Sequence, residues 1–244
     1  MNKLLELLIP RKLRDLKHDL SVAKYKNLSV EEIFSKIYDE NMWGGEKGEF
    51  TSGLGTINKN AALYIDACIS FIKKNNIRSV LDIGCGDFTV MNKVVQATGV
   101  QYTGADVAAN LIEHNRQQYA AANIRFMQLN AITGEIPPAD LTTIRQVLQH
   151  LSNDQIASIL PKALAACKYL MVTEHLPAGK KIQPNLDKVA GPHIRLVKNS
   201  GVFVDKPPFS LKTAAVLLEY PEDFEVYGQK NPAVIRTSLI KGAL

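Results

Sequence analysis

Short apolar runs and amphipathic stretches alternate along most of this chain. Residues 79–83 (Ser-Val-Leu-Asp-Ile) form an apolar run that enters two glycines, and a helix-compatible stretch over 87–98 follows. The pattern recurs, with strands predicted over 100–105, 124–129, 141–147 and 168–173 and helices over 108–122 and 152–166. Such alternation builds a parallel sheet with right-handed crossovers, a doubly wound α/β architecture. Ahead of it, Ser29 and Glu32 form a capping box that opens a helix through about residue 40, and 57–74 reads as a helix packed on the sheet. Ser152 and Gln155 repeat the capping box at the start of the later helix. Near the C-terminal end, 224–227 and 234–240 are alternating segments separated by a turn with Gly228 and Pro232.

Three stretches break the alternation. Residues 1–28 place Leu4, Leu5, Leu8, Leu13, Leu16 and Leu20 among basic side chains, a helical arm interrupted by Pro10. A basic amphipathic arm suits an anionic membrane surface, a second subunit or its own domain. Residues 41–55 surround the single tryptophan, Trp43, with glycines, as expected of a lid over a bound ligand or a loop anchored by one aromatic. Residues 176–208 are rich in Pro, Gly, Lys and Asn, too long for a plain connection, and carry His193 and Arg195 among other hydrogen-bonding groups suited to a polyhydroxylated acceptor. The expected organisation is therefore an arm and lid over 1–56 and a main domain over 57–244 with an insertion at 176–208.

Composition narrows the class further. With 244 residues, 46% hydrophobic and 22% charged, the chain is an ordinary globular protein with room for a sizeable core. No apolar run approaches the roughly 20 residues of a membrane span, and no secretory signal is read. The scattered Cys68, Cys85 and Cys167 give neither a disulfide framework nor metal-ligand spacing, so a cytoplasmic setting and no metal are expected. The net charge of +5 arises mostly in residues 1–28, where seven basic residues face three acidic ones. That localisation argues against nucleic acid at the catalytic face.

The chemistry centres on Leu81-Asp-Ile-Gly-Cys-Gly86. Gly84 and Gly86 let the backbone bend and approach a ligand, with Asp82 just before the turn. A dinucleotide fingerprint needs a third glycine at position 89, where Thr89 stands instead, which favours a small adenosyl ligand. The next strand ends in Asp106, about 20 residues on, where a carboxylate accepts hydrogen bonds from both ribose hydroxyls. These motifs resemble those of class I S-adenosylmethionine-dependent methyltransferases. Residues 124–131 resemble that family's third strand and adenine-edge loop, and 139–151 its fourth strand. The resemblance implies a Rossmann-like, mostly parallel seven-stranded sheet with an antiparallel last strand, closed by the two segments at 224–227 and 234–240. It implies a cofactor site of Asp82, Gly84, Cys85, Gly86, Asp106, Val107, Asn130, Ala131 and Gln146. Resembling enzymes frequently carry an acid where Gln146 stands; that departure speaks against an acid or metal role there, while Gln146 retains the capacity to hydrogen-bond the cofactor.

Methyl transfer to oxygen needs an oriented nucleophile and a base. His150 and His175 lie at predicted carboxyl ends of the fourth and fifth strands, with ordinary imidazole basicity suited to neutral pH. Glu174 could orient or polarise a histidine, although strand alternation sends it to the opposite face from His175. Trp43, His193 and Arg195 are the candidate acceptor contacts. The expected activity is methylation of a small-molecule hydroxyl, a sugar or glycan precursor above all, by a homo-oligomer. The alternatives are N-methylation of RNA or a small metabolite, or a catalytically silent binding module. No Asn-Pro-Pro-Tyr-type motif follows the fourth strand, where Arg145-Gln-Val-Leu148 stands, and the intact acid and glycine positions argue against a silent module.

Overall fold

The computed structural model describes residues 23–46, 48–53, 55, 60–226 and 229–244. The expected arm, through residue 22, lies outside the described residues, as do positions 57–59 of the helix expected over 57–74.

Five helices and nine strands follow in chain order among the described residues. The helices are α1 (Val30–Asp39), α2 (Ala61–Lys74), α3 (Thr89–Thr98), α4 (Ala109–Tyr119) and α5 (Asn153–Ala165). The strands are β1 (Ser79–Ile83), β2 (Gln101–Asp106), β3 (Ile124–Gln128), β4 (Ala139–Arg145), β5 (Cys167–Pro177), β6 (Thr213–Pro221), β7 (Phe224–Val226), β8 (Gln229–Asn231) and β9 (Ala233–Lys241). Seven of the strands form one sheet in the order β3-β2-β1-β4-β5-β9-β6. The first five are mutually parallel, and β9 runs antiparallel to both neighbours.

Strand alternation supplies both faces of the sheet with core. Val80, Tyr102, Leu141 and Met171 point to one side, where they meet Tyr64 and Cys68 of α2 and Val94 and Val95 of α3. Leu81, Ile83, Ile144, Leu170 and Val172 point to the other, against Ile33, Phe34 and Ile37 of α1 and Ile156, Ile159 and Leu160 of α5. Residues ahead of the sheet thus belong to its core through α1. Strand order reverses between β1 and β4, so their carboxyl ends diverge and leave a crevice of the kind that binds ligands in open sheets.

The terminal strand pairing differs from expectation. The partner of β9 is β6, whereas 224–226 pairs with 229–231 in a separate small hairpin. Two irregularities in the β6 register, and the exposure of an edge strand, break the apolar–polar alternation that would have marked 213–221. The fourth strand stops at Arg145 because Gln146 takes a left-handed conformation (φ 55°). The fifth runs on to Pro177, pairing with Ala233. No described helix is long and apolar enough to cross a membrane.

Both capping boxes form, at Ser29–Glu32 and at Ser152–Gln155. Ser152→Ala deprives the first turn of α5 of its side-chain acceptor and is expected to cost about 1 kcal/mol, read as a lower urea midpoint at unchanged slope.

Candidate active site

The turn after β1 is drawn tight by one carbonyl. Ala105 O accepts from both Gly84 N (2.7 Å) and Cys85 N (3.1 Å), which folds the chain back over the end of β2. Gly84 and Gly86 have positive φ of 72° and 57°, and a Cβ on either would lie 2.3 Å from Val147 or 2.4 Å from Ser52. Asp82 is buried beneath the turn, where Tyr102 Oη (2.9 Å) and Thr143 Oγ1 (2.6 Å) donate to its carboxylate. Burial raises its pKa, against the pull of those two hydroxyls.

Asp106 ends β2 at the cavity wall. Its carboxylate accepts from Gly86 N (3.3 Å) and Ala108 N (3.1 Å), so the glycine turn and the acid fix one another. Burial pushes it up to about 6, opposed by those N–H groups. A cavity of about 680 Å³ opens from this point across the ends of β1, β4 and β5, within the usual range for small-molecule sites. Asp82, Gly84, Cys85, Gly86, Asp106, Val107, Ala131 and Gln146 all line it. Asn130 does not. Its amide donates to Glu31 Oε1 (2.6 Å) and accepts from Ile132 N (2.9 Å), bracing α1 against the loop after β3.

A glycine-rich segment covers the turn. Ser52 N donates to Asp87 Oδ2 (2.7 Å), Asp87 N donates back to Ser52 Oγ (2.7 Å), and Tyr38 Oη lies 3.1 Å from the same hydroxyl. Trp43, in the same segment, lines the cavity and packs against Tyr38, Phe34 and His150, its ring centroid 5.1 Å from that of His150. The Ser52–Asp87–Tyr38 contact has no local signal in the sequence, since the serine stands 35 positions from Asp87.

His150 sits on a 3₁₀ turn, Leu148–His150, held from two sides. Glu174 accepts from Leu148 N (3.0 Å) and Gln149 N (3.1 Å), while Arg195 donates to Leu148 O (3.1 Å) and Leu151 O (2.7 Å). Neither Glu174 nor Arg195 lines the cavity; both are spent on the backbone that presents His150. Burial pushes Glu174 up to about 8 and Arg195 down to about 10. His150 Nδ1 lies 3.2 Å from Gly191 O, and since a carbonyl only accepts, the proton sits on Nδ1, while the unprotonated Nε2 accepts from Gln149 Nε2 at 3.5 Å. Burial, with Lys188 and Arg195 nearby, pushes its pKa down to about 3. His193 also lines the cavity, from the insertion.

His175 lies where β5 passes the end of β4, on the cavity wall. Its Nε2 is 2.6 Å from Glu222 O, so Nε2 carries the proton and Nδ1 the lone pair. Burial lowers its pKa, while the Glu222 carbonyl and carboxylate raise it. As alternation requires, Glu174 and His175 face opposite ways and do not form a dyad. Among the described residues no group of three side chains is arranged to hold a metal ion.

Residues 81–169 match a methyltransferase domain family. Uncharacterized methyltransferases of Mycobacterium tuberculosis and Mycobacterium bovis are each 28% identical over 101 residues, 40% of this chain and 50% of theirs, so the match spans half the length of those relatives. The fold is similar to that of human N-acetylserotonin methyltransferase in complex with S-adenosylmethionine (TM-score 0.52, 13% identity, 96% of this chain and 68% of that one). It is also similar to the N-terminal domain of EvdMO1, solved with S-adenosylhomocysteine and D-fucose (TM-score 0.51, 11% identity, 88% and 98%). The sheet order and the glycine turn lie within the part of the fold that these likenesses share, and the glycine turn falls inside the stretch that matches the methyltransferase domain.

The depressed His150 gives a signed pH prediction. Below about 6.5 the unfolded chain takes up a proton that the folded chain refuses until about 3, so stability is lost as pH falls through that window. Asp106 and Glu174, whose pKa values are raised, act in the opposite sense over the same window, so the sign is read from a difference: between pH 7 and pH 4.5 the urea midpoint of the unaltered chain should fall relative to that of His150→Gln, and an identical pH dependence in the variant would contradict the assignment.

Proposed function

We propose that this chain transfers the methyl group of S-adenosylmethionine to a hydroxyl of a small molecule, with a sugar or glycan precursor as the acceptor class. The observation that carries the donor half is Asp106, a carboxylate fixed by the glycine turn at the end of β2 and lining the same cavity as that turn. The residues present fit an adenosyl ligand. Asp106 retains lone pairs for two ribose hydroxyls, Leu129, Ala131 and Ile132 supply apolar wall for a base, and Gly84 and Gly86 line the cavity between them. When bound, the cofactor supplies an electrophilic methyl on a sulfonium.

The chain's own part is to orient the acceptor and take its proton. Of the two histidines, His175 is the better base. An imidazolium at His175 gains from Glu222, whereas one at His150 is opposed by Lys188, Arg195 and His193. His150 therefore stays neutral, and its Nε2, an acceptor beside Trp43, is already faced by the Gln149 amide. His193, with Trp43, supplies acceptor contacts, while Glu174 and Arg195 act through the turn that carries His150.

One observation favours a second reading, an amine acceptor. The acceptor end of the cavity gathers Glu222, Asp223 and Glu225, and Arg145 is the one Lys or Arg side chain among the described lining residues. In a chain of net charge +5, that concentration of carboxylates would draw in a cationic group. Methyl-transfer assays with matched neutral and amino sugars separate the two readings.

Two outcomes are expected. Calorimetry should detect S-adenosylhomocysteine binding that weakens as pH falls through about 6, where Asp106 takes a proton and can no longer accept freely, and Asp106→Ala should reduce affinity by roughly tenfold or more and remove the pH dependence. With the true acceptor, His175→Gln should lower kcat by roughly a hundredfold or more, and His150→Gln should do less. Near-wild-type turnover in both variants would remove the histidine-base mechanism.

A further inference from the structure

We propose that Arg145 holds the amino-acid carboxylate of the methyl donor. The inference rests on the donor reading above and adds the residue that recognises the donor's other end. In the β1–β4 register Ile83 faces Ile144, so Arg145 stands across the crevice from Gly84. The ribose end belongs to Asp106 on β2, on the far side of β1. A ligand that starts at Asp106 and runs over the glycine turn therefore reaches β4 next, and the side chain waiting there is Arg145.

The guanidinium is held but not neutralised. Its carbon lies 5.2 Å from the centre of the Tyr64 ring, and Nη2 donates to Gly55 O at 2.6 Å. It forms no ion pair among the described residues, and its Nε is buried without a hydrogen-bond partner. The nearby Asp82 carboxylate is already taken up by Tyr102 and Thr143. A half-buried cation stacked on an aromatic face and left with unused donors is complementary to a carboxylate, which a planar guanidinium engages through two parallel bonds. Gly55 O, on the glycine-rich segment, fixes one edge of that fork and couples the carboxylate site to the covering of the cavity.

The test compares two ligands that share the adenosyl group and differ in the amino acid. Calorimetry is run with S-adenosylhomocysteine and with 5′-methylthioadenosine on the full chain and on Arg145→Met and Arg145→Lys. Arg145→Met should weaken S-adenosylhomocysteine by about 10- to 100-fold and leave methylthioadenosine within about twofold. Arg145→Lys, which keeps the charge and loses the fork, should show an intermediate loss and serves if the methionine variant does not fold. Equal losses for both ligands, or no loss for either, would overturn the assignment. Failure of the unaltered chain to bind either ligand would overturn the donor reading itself, and the proposal with it.

Discussion

Because Gly84 carries no Cβ, the turn after β1 can lie against Val147, and the two strand ends that flank the reversal of strand order come together there. A methyl group at that position would have to occupy space 2.3 Å from Val147 Cγ2. Everything at the site follows from this approach. The turn swings over the end of β2 so that Gly86 N meets Asp106, β4 must end at once in the left-handed Gln146, and the 3₁₀ turn that follows is thrown up beside the cavity. Positive φ at Gly84 and Gly86 is thus the local cost of packing backbone directly against the side chains of Val147 and Ser52.

The turn bearing His150 shows a second economy. Short 3₁₀ turns leave N–H and C=O groups unpaired. Here a carboxylate takes the first and a guanidinium the second, so Glu174 and Arg195 fix the backbone of residues 148–151 without touching the cavity. The Arg195 charge also acts on the histidine that the turn carries. With Arg195 and Lys188 close and burial heavy, His150 is kept neutral.

Much of this architecture was legible in the chain. The parallel strands β1 to β5 announce themselves as buried runs between amphipathic helices, and both capping boxes are local in sequence. Asp106 was legible as the acid that ends β2, and it stands on the cavity wall. What the sequence hid was side-chain direction. Arg195 and Glu174 are polar residues near the site by position, yet a side chain on a loop or strand goes where backbone groups need pairing. Asn130 is likewise drawn to Glu31, 99 positions away. Edge strand β6 escaped notice since its irregular register and exposed face erase the period-two signal, and the segment at 224–226, which alternates cleanly, belongs to a hairpin outside the main sheet.

The covering segment has a consequence of an optical kind. The chain contains one tryptophan, and it stands on the cavity wall with an imidazole ring 5.1 Å away and two further aromatics around it. Indole emission from this protein therefore comes from a single place, the cavity wall beside His150. Its intensity and wavelength follow the polarity of that wall and the charge on His150, and the chain carries a built-in reporter of whatever enters the cavity.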